Sequence, residues 1–318
     1  MFYIDQTTPS FLLARDEHYT NVRYVIKKKL LGKRFTEAHP KGLDKRIDEV
    51  TGIHSTVAAF LNDETNLKDL LIGSPDVLNQ FKKRFTSKKA IASIKALIRY
   101  DAFIDKSVEK TFGFYHGYHL AENLGIQTCI YCNRLYTHTI ITENREFIAR
   151  PTFDHWFPQS SYPLLALSFY NLIPSCNVCN SSIKGALPFA LKDIFHPYLK
   201  HPENEKLLSF KFSYTLEDHL AAKSKIVSGN DFTANSIRAM KLKEIYAGHL
   251  DEIRELIYLK KAYSASYISS LNSILKLTLS TDEIYRLAFG VYMYDDQLNK
   301  RPLSKLKKDV LAELGIIP

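Results

Sequence analysis

A chain of 318 residues is long enough for one large domain or two ordinary ones. Its 45% hydrophobic and 24% charged residues are those of a soluble globular protein, not of a disordered or fibrous one. No apolar stretch reaches the ~20 residues that span a bilayer, and Met1-Phe2-Tyr3-Ile4-Asp5 lacks the pattern of a signal peptide, so no membrane association and a cytoplasmic location are expected. The 43 Lys+Arg against 34 Asp+Glu give a net charge of +9, which speaks of partners rather than of fold.

In chain order, the first segment mixes basic and aromatic residues, with a helix expected around Tyr19–Leu31. Arg23, Lys27, Lys28, Lys29, Lys33 and Arg34 form an acid-free run there. From His54 to Leu124 the periodicity is helical: Ala58, Ala59, Phe60 and Leu61 open one apolar face, and Leu78, Phe81 and Phe85 recur at spacings of three and four. Ile91, Ile94, Ile98 and Phe103 continue it. A second basic run, Lys82, Lys83, Arg84, Lys88, Lys89, Lys95 and Arg99, lies on these helices. Each run reads either as a solvated face or as a set of contacts to nucleic-acid phosphates.

The pattern changes at Cys129. Leu135–Ile141 and Glu146–Phe153 read as strands joined by a turn at Thr142-Glu143-Asn144-Arg145. A helical stretch is expected near Tyr162–Phe169 and another just after Cys176. Beyond a linker at Ile194–Tyr198, Leu207–Tyr214 reads as a strand that pairs with Lys223–Val227. Helices then return around Ile237–Ile257, Tyr263–Leu277, Asp282–Tyr292 and Leu303–Leu314. The expected class is α+β, mostly helical, in three parts: a basic, helical region 1–124, a central module 125–200, and a mainly helical region 201–318 with a short hairpin.

The chain has four cysteines, Cys129-Ile-Tyr-Cys132 and Cys176-Asn-Val-Cys179, with 43 residues between the pairs. Two residues between thiols let both reach one tetrahedral ion, and two such knuckles fill its coordination, so the expected zinc is structural. Such sites contribute roughly 10–16 kcal/mol in small zinc peptides, on the scale of a whole domain's stability. That matters where a hairpin and one helix make a poor core.

Between and just beyond the knuckles lie Phe153-Asp154-His155-Trp156-Phe157-Pro158, then Asn171, Asn180 and Lys184-Gly185. Phosphodiester hydrolysis needs a base for water, and a neutral imidazole suits it. It needs charge stabilisation, which a hard cation on oxygen ligands supplies. It also needs something to orient the imidazole. Taken alone, Asp154-His155 would be a surface pair, Asn171 a turn residue and Asn180 a helix cap.

Taken together, Cys-x-x-Cys, Asp-His-x-x-Pro, Asn-Leu-x-Pro-x-Cys-x-x-Cys-Asn and Lys-Gly resemble the zinc-knuckled branch of the HNH (ββα-metal, His-Me finger) endonucleases over Cys129–Gly185. The resemblance implies His155 as general base, Asp154 and Asn180 as ligands of a catalytic Mg²⁺ or Mn²⁺, and Asn171 as a brace bonded to the loop backbone. Lys184 would approach a substrate phosphate. Ser168–Cys176 with His196-Pro197-Tyr198 is similar to HNH nucleases of Septu- and retron-type anti-phage systems, which work with a separate SMC- or ABC-like ATPase. Thr233–Arg254, with Arg238 and Leu242, is faintly similar to their helical tails, whereas the N-terminal region here is longer. The chain itself has no phosphate-binding glycine loop. The expected function is therefore a metal-dependent endonuclease, most naturally on DNA. Its rivals are an RNA- or tRNA-cleaving nuclease and a non-catalytic, zinc-stabilised nucleic-acid-binding adaptor. His116 and His119, three apart, read as a helix pair rather than a second metal site.

Overall fold

Thr8 accepts the Phe11 amide and Pro9 follows at the first helical position, and these signals start α1 (Pro9–Leu31) ten residues earlier than the apolar pattern suggests. The early turns hide because their pattern is inverted: Leu12 and Leu13 face outward, while His18 and Asn21 are buried. This computed structural model describes residues 1–42, 47–105, 115–200, 210–218, 221–262, 270 and 280–317.

Around α1 pack α2 (Ser55–Asn62), α3 (Glu64–Ile72), α5 (Lys88–Leu97) and α7 (Gly117–Leu124). The short α4 (Pro75–Phe81) and α6 (Tyr100–Ile104) complete the helical region. Side-chain caps from Asp63, Ser74 and Ser87 begin α3, α4 and α5, and Gly125, in the left-handed region at φ 62°, ends α7. His116 caps α7 by accepting the Tyr118 amide, and His119 accepts the His116 amide. The two histidines are thus a capping pair.

The central region departs from the expected order. The hairpin forms, but β1 (Ile140–Ile141) and β2 (Phe147–Ala149) are short. The expected second strand breaks into β2 and β3 (Thr152–His155), and β3 pairs with β4 (Leu172–Ser175), Asp154 opposite Ile173 and His155 opposite Leu172. β4 gives no alternation because all four residues are buried, and it contains Pro174. Proline is tolerated because β4 has a strand neighbour on one side only.

The helix expected near Tyr162–Phe169 is absent. Only 3₁₀ turns occur, at Pro163–Leu165 and Phe169–Asn171. Three consecutive carbonyls are claimed by distant side chains: Leu165 by Asn171, Ala166 by His155 and Leu167 by His18. After Cys176 the chain winds into a π-helical segment, Val178–Lys184, which packs against β3.

Further on, β5 (Phe210–Asp218) and β6 (Ala221–Ser228) pair as expected, although Leu207–Ser209 lies outside the described residues. Then follow α8 (Asp231–Ala239), α9 (Leu242–Tyr246), α10 (Leu250–Ala262), α11 (Thr281–Phe289) and α12 (Ser304–Glu313). All but Ser270 of the helix expected over Tyr263–Leu277 lies outside the described residues. The class is α+β and mostly helical, with three two-stranded sheets among the described residues. None of the described helices is long and apolar enough to cross a membrane.

Candidate active site and metal centre

All four cysteines are buried and free, and their sulfurs lie within 4.8 Å of one another. Cys132 and Cys176 Sγ are 4.0 Å apart. A tetrahedral ion with 2.3 Å bonds to sulfur would set its ligands about 3.8 Å apart, so the cluster fits a structural metal such as zinc. The Arg134 amide points at Cys132 Sγ and the Cys179 amide at Cys176 Sγ, the pattern expected of thiolates. Hydrogen bonding among the thiols pushes Cys132 and Cys176 down and Cys179 up, while burial, then the neighbouring thiols, pushes Cys129 up, because four adjacent buried thiols cannot all ionise without a cation.

The first knuckle turns at Asn133, whose φ is 50°. Its side chain, 1% exposed, donates to Thr128 Oγ1 and to the Leu298 and Arg301 carbonyls, and it accepts the Lys305 amide. Asparagine tolerates the left-handed region better than most residues. One side chain thereby sets the turn and ties the metal centre to the C-terminal region.

His155, at the end of β3, is half-buried. Its Nε2 lies 2.9 Å from the Ala166 carbonyl oxygen. A carbonyl can only accept, so Nε2 carries the proton and Nδ1 is left with a lone pair. Nδ1 makes no hydrogen bond to the described residues and is not fully sealed from solvent. The Tyr100 ring meets the imidazole edge-on at 4.3 Å, and its hydroxyl donates to the Phe153 carbonyl. Burial, opposed by the Ala166 bond, brings the His155 pKa down to about 4, which keeps the ring neutral at pH 7.

Asn171 is fully buried. It accepts the Phe157 amide at 2.7 Å and donates to the Phe157 and Leu165 carbonyls. It therefore fixes both the loop after His155 and the turn that presents Ala166. The Asn180 side chain, half-buried on the π segment, makes no hydrogen bond to the described residues.

Asp154 and Lys184 correct the sequence reading. Lys184, with its side chain 0% exposed, does not reach toward a substrate phosphate; it lies 3.1 Å from Asp154 Oδ1 and donates to the His155 carbonyl at 2.6 Å. Asp154 Oδ2 accepts the Tyr131 hydroxyl at 2.6 Å. Burial is the largest influence on both groups, raising the carboxyl and lowering the ammonium, and their mutual attraction opposes it. A carboxylate 1% exposed, with a partner on each oxygen and an ammonium alongside, does not fit a ligand for a hydrated Mg²⁺, which demands near-octahedral oxygen geometry. The physical reason is register. Neighbours on a strand point to opposite faces, so His155 faces outward while Asp154 turns in toward the knuckle.

The other candidates divide. Lys82 stands over the Phe157 and Tyr162 rings, 5.1 and 5.5 Å from their centres. Lys83, Arg84, Lys88 and Lys89 are exposed on α4–α5. Tyr100 and Tyr131 were not singled out by sequence. Tyr131 has a signal in the sequence, its place between Cys129 and Cys132, whereas Tyr100 has none. A cavity of about 630 Å³ lies elsewhere, between Phe2–Phe11, Leu124–Gln127 and Asp295–Lys300, and contains none of the candidate residues.

No family model, curated protein or solved structure matches the chain.

Proposed function

We propose that the protein is a phosphodiester hydrolase of the HNH kind that cuts nucleic acid, most naturally DNA, with His155 as general base. One observation carries the reading: the Ala166 carbonyl holds Nε2–H and leaves Nδ1 unprotonated and open. Nδ1 takes the proton of a water as its oxygen attacks phosphorus, and the bond to the leaving oxygen breaks. Asn171 and Tyr100 hold the imidazole's surroundings, which preserves the effective concentration of the base. The metal centre anchors the strand through Tyr131 and Asp154. Asp154, held by Lys184 and the Tyr131 hydroxyl, does not fit a ligand of a catalytic Mg²⁺ or Mn²⁺. The likeness of Ser168–Cys176 and His196-Pro197-Tyr198 to anti-phage nucleases extends the proposal to a defence role with a separate ATPase partner.

A zinc-stabilised nucleic-acid-binding module without hydrolysis is the second reading. The sealed state of Asp154 favours it. Plasmid, single-stranded DNA and tRNA incubated side by side with the protein, with Mg²⁺ or Mn²⁺ and with neither, separate the two. His155→Ala is expected to lower cleavage by about 10²–10⁴-fold while zinc content and circular dichroism stay unchanged. Undiminished cleavage would remove His155 from the mechanism, and no cleavage by the parent protein would leave the binding module.

A further inference from the structure

Between Asp76 and Asp101 the chain carries no acid and seven cations. Of these, Lys83, Arg84, Lys88, Lys89 and Lys95 are exposed, and among the described residues none has a carboxylate within ion-pair distance. The stretch is fastened to the candidate site at both ends. At its start, Lys82 sits over Phe157 and Tyr162, in the loop that follows His155. At its end, Tyr100 meets the His155 ring. Between these anchors α4 and α5 pack on the Pro163–Leu165 turn, which leads directly into Ala166. A series of unpaired cations thus stands on elements joined at both ends to residues around the imidazole.

We propose that the α4–α5 face is the track along which a nucleic-acid strand lies as it enters the His155 site, its phosphates meeting Lys83, Lys88, Lys89 and Lys95. This rests on the phosphodiesterase reading and adds the substrate's path. Isolated surface cations carry no sequence information, so the track reads backbone and not bases. Lys82, half-buried against two rings and with no acidic partner among the described residues, is the inner end of the row and the member of it that touches the loop after His155.

The test is a variant with Lys83→Gln, Lys88→Gln, Lys89→Gln and Lys95→Gln, compared with Lys33→Gln/Arg34→Gln from the first basic run. Binding to duplex DNA, single-stranded DNA and RNA is measured as a function of salt. Each lost phosphate contact lowers the log–log salt slope by about 0.9 on duplex and about 0.7 on single strands, so the fourfold variant should lose roughly 3 units of slope and the control less than about 1. Hydrolysis of bis(p-nitrophenyl) phosphate, too small to use a track, should be equal in both variants and absent in His155→Ala. Loss of that small-substrate activity in the parent protein would sink the phosphodiesterase reading while the binding data still judged the track. An unchanged slope in the fourfold variant, or loss of binding to anionic vesicles in place of nucleic acid, would overturn the track.

Discussion

Two stretches of this chain concentrate positive charge without acid, and the fold uses them in opposite ways. In the first, Arg23 is clasped by Glu37 and Glu64, Lys27 pairs with Glu64 at 2.9 Å, Lys28 donates to the Phe35 carbonyl, and Arg34 meets Glu49. Lys27 and Lys29 are buried, and burial pushes the Lys29 ammonium down to about 8. The partners come from Glu37, Glu49 and Glu64, outside the run, so a window without acids is no guide to local charge. In the second stretch Lys83, Arg84, Lys88, Lys89 and Lys95 stand in solvent with no carboxylate within ion-pair distance among the described residues, Lys82 lies against two rings, and Arg99 at the end pairs with Asp101. The lesson is that charge density along a sequence does not identify a binding face; unpaired charge in space does.

Acid should disturb the buried groups of this fold most severely. Charge enters this core only when it is partnered, and the buried histidines enter neutral. His18 has Nε2 donating to the Leu167 carbonyl and Nδ1 facing the Tyr115 hydroxyl, and burial lowers its pKa to about 4. His196 accepts the Tyr198 amide at Nδ1, and burial lowers it to about 3. The unfolded chain binds protons near pH 6.5 and the folded one does not, so stability is fully present above that pH and is lost as pH falls toward the folded values. At about 1.4 kcal/mol per unit, each of the two accounts for on the order of 3 kcal/mol or more by pH 4. Thermal or urea unfolding should show this decline between pH 6.5 and 4. A flat profile would mean that the buried rings carry charge after all.

Charge reversal distinguishes the runs directly. Lys27→Glu places a carboxylate on a side chain that is 3% exposed, beside Glu64, and should destabilise by roughly 3–5 kcal/mol, as an uncompensated buried charge does. Lys88→Glu, exposed and unpaired, should stay within about 0.5 kcal/mol. Urea midpoints measure both, and equal effects would erase the contrast between the runs.

Much of this architecture was legible because local signals agreed with the tertiary answer. Caps, apolar spacing and paired knuckles pointed to the helices, the late hairpin and the metal cluster. What stayed hidden depends on long-range partners. The Leu165–Leu167 carbonyls were lost to a helix by Asn171, His155 and His18, residues that no local window joins. Strand β4 hid behind Pro174 and two-sided burial. Lys184 looked like a surface cation in Ser-Ile-Lys-Gly, yet its ammonium is spent on Asp154 and the His155 carbonyl. For Lys184 the sequence named the residue and left its direction open; for the other two it gave neither the element nor its partners.

Tyr100 offers the finest test, because it joins the free run to the imidazole. Its hydroxyl donates to the Phe153 carbonyl at 3.2 Å, and its ring edge meets His155. Tyr100→Phe keeps the ring and loses the bond, so it should cost about 1 kcal/mol of stability and leave hydrolysis within about threefold. Tyr100→Ala removes the ring too, and the imidazole then has the Ala166 bond but no wall. If Tyr100 only filled space, turnover would follow stability in both variants. If it positions the base, turnover in Tyr100→Ala should drop by about tenfold or more, because a loosened base loses effective concentration, with the substrate's KM unchanged and the phenylalanine variant restoring the rate. A fall in KM-dependent binding without a fall in kcat would instead place Tyr100 in the track.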